Sequence, residues 1–326
     1  MVLRDRIYGR IAVTEPVIAE LIASKPLQRL KHISQDGASH FIYPSRDVTR
    51  FEHSVGAWYL ARYYKRPVEE QIACLLHDVP HTAFSHVIDT VIPSDGWAYH
   101  DQFLEKVVMR SEIPDICRRH RIDIAKVLDK EQFPLLENDL PDISFDRLDY
   151  FMRDGYGFGL LPRQTVKLFL TSLKEKHEQF YFEDVRIASL YAILYLNFCR
   201  LLWLDPTSHG AYQLLAGAIK TAWETGGLAE EDFFATDEQV WQKLQAAHDP
   251  QIDRRLERLR PGYEFRYAAE AEAEFYGRSK PRIVDPLVQK DGELVRLTTL
   301  IPGLAYYFEE FRGRYQYIGA APQSMA

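Results

Sequence analysis

Residues 50–86 read RFEHSVGAWYLARYYKRPVEEQIACLLHDVPHTAFSH. His77 and Asp78 are adjacent and follow the apolar run Ile72, Ala73, Cys74, Leu75, Leu76. His53 stands upstream, near the start of a preceding helical pattern. Burying an unpaired imidazole or carboxylate is costly, so groups at the end of an apolar run need a partner, and the strongest partner is a cation. Imidazole nitrogen and carboxylate oxygen without thiolate suit Zn, Fe, Mn, Ni, Co or Mg. The pattern predicts helices over about 51–64 and 67–78, the first supplying His53 and the second His77 and Asp78. Three ligands do not complete a shell, so a fourth, acidic, is expected further on. HDVPH also sets His77 and His81 at i, i+4, the spacing of helical two-histidine motifs, but Pro80 interrupts a regular helix there. Any one of these histidines alone reads as an ordinary hydrogen-bonded residue; the ordered set carries the argument. Val55, Tyr59 and Tyr63 share one side of the first helix and read as core packing.

The second anchor is 140–159, LPDISFDRLDYFMRDGYGFG. A helix turns ~100° per residue, so Asp146, Tyr150 and Arg153 share one face and Arg147 and Asp154 a neighbouring one. Leu148, Phe151 and Met152 supply the apolar side, and Gly155, Gly157 and Gly159 are expected to break the helix. By itself this pattern fits a salt-bridged surface helix.

RFEHS…HDVPHTAFSH resembles the HD-domain phosphohydrolases, most closely their deoxynucleoside triphosphate triphosphohydrolase branch, which carries RFEHS and His-Asp followed by two histidines. DRLDYFMRD resembles the same family's D-K-x-D-Y-x-x-R-D segment. The resemblance implies a mainly α fold, an HD-domain helical bundle with a small mixed α/β C-terminal part. It implies a divalent metal held by His53, His77, Asp78 and Asp146, identity open. It puts Arg50 and Arg147 on phosphate, with arginine's planar fork suited to phosphate oxygens, and Tyr150 and Asp154 along the sugar. His81 and His86 would lie on the substrate side of the metal, orienting phosphate and protonating the leaving oxygen. His100-Asp101, in GWAYHDQFLEKVV, resembles the family's His-Glu pair near the leaving group. Asp149 and Arg153 are expected to be structural.

The segment PLQRLKHISQDG, 26–37, resembles the family's QRL…I-Q-L-G. Gln35 carries over to the sugar, whereas Asp36 puts a carboxylate where an apolar side chain is expected. Pro80, Thr82 and Ala83 likewise replace the glycines and proline of the family's HDxGHGPFSH. Arg200 and Tyr212 are candidates for further contacts, without matching spacing.

With 326 residues, 46% of them hydrophobic, the chain supports one large core or a main domain with an appendage. We expect a catalytic core over 1–225 and an appendage over 226–326 packed on it. A net charge of −7 argues against general nucleic-acid binding by electrostatic footprint. Cys74, Cys117 and Cys199 form neither a disulfide framework nor a CxxC site, so a reducing, cytoplasmic setting is expected. The N-terminus MVLRDRIYGR has no apolar signal core. The most apolar stretch, 189–204, contains Asn197 and Arg200 and reads as a buried core helix, not a membrane span. A capping box is expected at Thr236–Gln239. In the tail from about 260, RYAAEAEAEFYG, RIVDPLV and LVRLTTLI are expected to form strands and LAYYFEEFRGRY a helix.

The function expected is metal-dependent hydrolysis of a nucleotide, first as a (deoxy)nucleoside triphosphate triphosphohydrolase. Removal of a monophosphate from a nucleotide or other small phosphate ester is the alternative, and a non-catalytic nucleotide sensor a third. The sequence leaves homo-oligomerisation open.

Overall fold

The computed structural model describes residues 1–92 and 99–323. Residues 96–98, the start of the GWAYHDQFLEKVV segment, lie outside them. The chain divides into two compact units, Met1–Asp129 with Gly210–Glu264, and Lys130–His209 with Phe265–Ala326. The expected boundary after residue 225 falls inside the first unit's second segment.

The first unit is helical apart from a short antiparallel hairpin, Val2–Asp5 against Gly9–Ala12. Its helix Arg50–Tyr63 starts at a capping box: Thr49 accepts the Glu52 amide, and Glu52 accepts the Thr49 amide at 3.1 Å. Arg6 forks onto the same Glu52 at 2.7 and 3.0 Å. The next helix, Val68–Leu76, buries the whole run Ile72 to Leu76. It ends just before His77, earlier than the periodicity suggests, and a tight loop carries residues 77–86. Trp58, Leu60, Leu75, Ile18 and Leu21 lie in this unit's core.

The second unit is built on the helices Phe145–Gly157 and Val185–Phe198. Phe151 meets Phe169, Tyr191, Tyr195 and Phe198 at centroid distances of 4.9–6.0 Å. A four-stranded sheet runs Leu173–Lys176, Gln179–Phe182, Leu287–Lys290, Glu293–Arg296, two hairpins joined by a parallel central pair. A three-stranded antiparallel sheet sets Tyr317–Pro322 between Phe265–Tyr267 and Phe275–Arg278. The fold is mainly α with small sheets, as the resemblance implies.

Three local expectations need correction. Gly155 lies inside the helix, which ends at Gly157 with Gly159 at positive φ beyond it; a Cβ on Gly155 would stand 2.2 Å from Phe198 Cε2, so this one of the three glycines serves close packing and not termination. LVRLTTLI divides into the strand Glu293–Arg296 and a helical turn Leu297–Leu300. The apolar helix buries Tyr191, Tyr195 and Phe198 but leaves Leu190, Ile193 and Leu201 exposed, so only one side of it is core.

Candidate functional site

Within the first unit the two helices and the loop after them bring three expected metal ligands together. His53 Nε2 and His77 Nε2 are 3.3 Å apart. Asp78 Oδ2 lies 3.6 Å from His53 Nε2, and Asp78 Oδ1 lies 3.5 Å from His77 Nε2. All three residues are buried. His77 Nδ1 is 2.8 Å from the Cys74 carbonyl, and a neutral ring donating there leaves the Nε2 lone pair facing the others. Two ring nitrogens and a carboxylate converging in a buried spot fit a divalent cation, with no thiolate to bias it towards soft metals.

Arg50 braces this group. Its Nη1 donates to Asp78 Oδ2 at 2.8 Å and its Nε to Ser85 Oγ at 2.9 Å. Burial works to raise the Asp78 carboxyl, but Arg50, His77 and His81 hold it well below the usual carboxylate range. The group is therefore ionised at neutral pH, the form a cation needs.

Three more histidines cluster beside Asp78. His81 Nε2 is 3.2 Å from Asp78 Oδ1, and its Nδ1 is buried with no hydrogen-bond partner among the described residues. His100 stacks on His81 with centroids 3.6 Å apart, and His86 stands edge-on to both rings. Burial, then Arg50 and His100, push His81 well below the ordinary imidazole value. Burial and His86 push His100 down to about 4. Both rings are neutral at pH 7. His86 is the open member of the cluster, its side chain 39% exposed and its Nδ1 2.8 Å from Asp89 Oδ2. His100 Nε2 and Asp101 Oδ1 are 3.6 Å apart, beyond hydrogen-bond reach, so the expected His-Asp pair is a loose one. Asp89 was not singled out from the sequence, although its i, i+3 spacing from His86 is the available signal.

Gln35 and Asp36 lie in the turn after the helix Lys25–Arg29, where Ser34 bridges to Thr49. Gln35 Oε1 and Asp36 Oδ2 are buried without a hydrogen-bond partner among the described residues. Burial raises the Asp36 carboxyl, with Arg46 and Arg50 pulling the other way. Gly37 holds a positive φ, and a Cβ there would come within 2.6 Å of the Phe84 carbonyl and the Tyr212 hydroxyl.

Two residues with no expected role at the site fix the loop of His81 and His86. Arg29 donates through Nη2 to the Val79 and His81 carbonyls, at 2.9 and 2.6 Å, and through Nη1 to those of Phe234 and Ala235. Asp237 accepts the Phe84 amide at 2.6 Å and the Ser34 amide at 2.8 Å. Arg29 belongs to the quoted QRL motif, a signal that was present; Asp237 had none beyond its place in the capping box.

The second unit carries Asp146, Arg147, Tyr150 and Asp154 on the helix Phe145–Gly157. Asp146 is in its first turn, after the N-cap Ser144. Asp149 and Arg153 form a fully buried pair at 2.8 and 3.0 Å, the structural role expected for them. Tyr150 and Tyr195 share a hydroxyl–hydroxyl bond of 2.6 Å, and Trp203 Nε1 donates to Asp154 Oδ2 at 3.2 Å.

The HD domain family model matches residues 50–154, a segment with both anchors. The uncharacterized protein YdhJ of Bacillus subtilis is 34% identical over 91% of each chain. The metal-dependent phosphohydrolase cns2 of Cordyceps militaris is 34% identical over 79% of this chain and 77% of its own. The deoxynucleoside triphosphate triphosphohydrolase SAMHD1 of Danio rerio is 25% identical over 61% of this chain and only 41% of its own. Among solved structures, a phosphohydrolase from Bacteroides thetaiotaomicron shares the fold over the full length of both chains, with a TM-score of 0.78 at 17% identity. The chain thus belongs to the HD-domain family of metal-dependent phosphohydrolases and is a hydrolase of phosphate esters that uses a divalent metal.

Proposed function

We propose that the substrate is a nucleotide and that the first activity to seek is hydrolysis of a (deoxy)nucleoside triphosphate to nucleoside and triphosphate. The observation that carries this reading is the helix Phe145–Gly157. It follows a first-turn carboxylate, Asp146, with an aromatic hydroxyl, Tyr150, and a buried carboxylate, Asp154, tied to an indole. Such a face suits a ribose with its polar edges and an adjoining base. The likeness to SAMHD1 supports the same reading.

In this proposal His53, His77 and Asp78 hold the cation, and Asp146 completes the set in the order the family motif gives. A divalent cation there supplies Lewis acidity towards a phosphoryl oxygen and a means of generating hydroxide near neutral pH. Arg50 keeps Asp78 ionised and presents positive charge to the phosphoryl oxygens. His86, the exposed histidine, carries the proton to the leaving oxygen, and His81 and His100 hold its ring edge-on. Asp101 supports His100 across 3.6 Å. Gln35 and Asp36 face the sugar.

Phosphomonoester hydrolysis is the second reading. Asp36 favours it: this residue stands where the triphosphohydrolase branch carries an apolar side chain. Elemental analysis of the purified protein, then a nucleotide panel assayed separately for orthophosphate and triphosphate, tests both. Triphosphate release supports the first reading, and orthophosphate release from monophosphates alone replaces it with the second. No phosphate release from any nucleotide in the metal-loaded protein overturns the nucleotide assignment.

A further inference from the structure

The cation expected to bind phosphate in the second unit is otherwise engaged. Arg147 donates Nη1 to the Asp142 carbonyl and Nη2 to the Asn138 carbonyl, and its Nε is buried without an acceptor among the described residues. A guanidinium forked onto two backbone carbonyls braces the chain before its own helix and has little left for a ligand. Arg282 is placed differently. It precedes the buried run Ile283, Val284, Asp285, and its amide donates to Cys199 Sγ at 3.2 Å. Its Cζ lies 5.4 Å from the Tyr150 ring centroid and 5.5 Å from that of Trp203. Among the described residues no acceptor meets the guanidinium itself. Asp154 accepts the Trp203 indole N–H, and the carboxylate whose charge bears on Arg282 is that of Asp146.

Ring faces stabilise a cation but accept few of its five N–H donors. A half-buried guanidinium whose donors lack acceptors loses hydration without replacing it. An arriving anion restores those bonds in bidentate form, the geometry arginine shares with phosphate. We infer that Arg282 is a phosphate-binding residue of the substrate site, receiving a phosphoryl group of the nucleotide beside Tyr150 in the role sequence motifs assign to Arg147. The inference rests on the proposed placement of Tyr150 and Asp154 along the substrate.

The test uses the full-length, metal-loaded protein and inorganic phosphate as probe, with binding read by calorimetry. Arg282→Gln is expected to weaken phosphate binding by about 10–100-fold, the loss of a charge-assisted hydrogen-bonded pair, and Arg282→Lys to recover part of it. With a hydrolysed nucleotide, Arg282→Gln is expected to raise KM far more than it lowers kcat. In the wild-type protein, phenylglyoxal modification of Arg282, located by mass spectrometry, is expected to be suppressed by saturating phosphate. This arm holds even if the glutamine variant does not fold. Unchanged phosphate affinity in Arg282→Gln, or modification of Arg282 indifferent to phosphate, overturns the inference and leaves a structural brace between two rings. If no nucleotide is hydrolysed while phosphate binding still depends on Arg282, the nucleotide reading falls and the anion site stands.

Discussion

His77 divides its ring between two tasks, Nδ1 held by the Cys74 carbonyl and Nε2 turned to His53 and Asp78. His86 does neither: its Nδ1 pairs with Asp89, and it is the exposed ring of its cluster. The two should separate on mutation. His77→Ala and Asp146→Ala are each expected to abolish metal retention with helical content nearly unchanged. His86→Ala should keep the metal and lose turnover by about 10²–10⁴-fold, the usual worth of a general acid. Metal content by mass spectrometry beside a turnover assay checks this. Metal lost with His86 would move that residue into the coordination shell, and metal retained without Asp146 would show the fourth ligand to be another group. At this scale the sequence was informative because histidine next to aspartate after an apolar run demands an explanation, and few explanations exist. Arg29 and Asp237 were legible as members of a motif and of a capping box but not in this role, because they act on backbone atoms, and a residue that binds carbonyls or amides leaves no mark on the spacing of its partners.

The loop that carries His81 and His86 has Phe84 and Ser85 at positive φ, a conformation costly for non-glycine residues. Asp237, at the start of the helix Asp237–Ala246, pins it through the Phe84 amide. Burial pushes this carboxyl up to about 7, against the Phe84 and Ser34 amides and Arg29. The native value lies above the ordinary one near 3.9, so the native state holds the proton more tightly. Asp237 thus adds stability below about pH 4 and loses it as pH rises towards about 7. Asp237→Ala, which strands two amides, is expected to cost about 1–3 kcal/mol in acid. The deficit in melting temperature against wild type should shrink from about pH 4 to 7 and stay level above. A deficit that grows with pH would mean an ionised carboxylate throughout. The helix that bears Tyr150 gives a simpler case. Gly155→Ala pushes a methyl into Phe198, and overpacking of this kind costs about 1–3 kcal/mol; thermal unfolding reads it, and an unchanged melting temperature would show that Phe198 yields. The glycine repeat suggested a break, and the helix does end at Gly157, yet Gly155 lies inside it because its missing side chain admits Phe198. Local composition shows where a side chain is missing and not what approaches.

The whole chain keeps the family's order of motifs while altering single positions inside them, and the substrate class turns on one such position. The helical fold was legible because both anchors lie in periodic helical patterns. The tail was harder, since its strand Leu287–Lys290 pairs in parallel with Gln179–Phe182, a partner more than a hundred residues away that no local pattern announces. Asp36 illustrates the same limit for function. Its carboxyl is raised by burial and one oxygen lacks a partner among the described residues. A carboxyl in that state can accept a hydrogen bond from a ribose hydroxyl, where an apolar residue would reject it. Little discrimination against ribonucleotides is therefore expected, or a preference for them. A site built to hydrogen-bond a hydroxyl rejects the analogue lacking it far more strongly than an apolar pocket rejects a missing methylene. Asp36→Leu should then shift selectivity towards deoxyribose, and it also removes a buried polar atom, so stability should not fall. The measurement is kcat/KM for matched ribo- and deoxyribonucleotides in both proteins. A strong deoxyribose preference in the wild type that persists in Asp36→Leu would mean the unpartnered oxygen faces protein and not sugar.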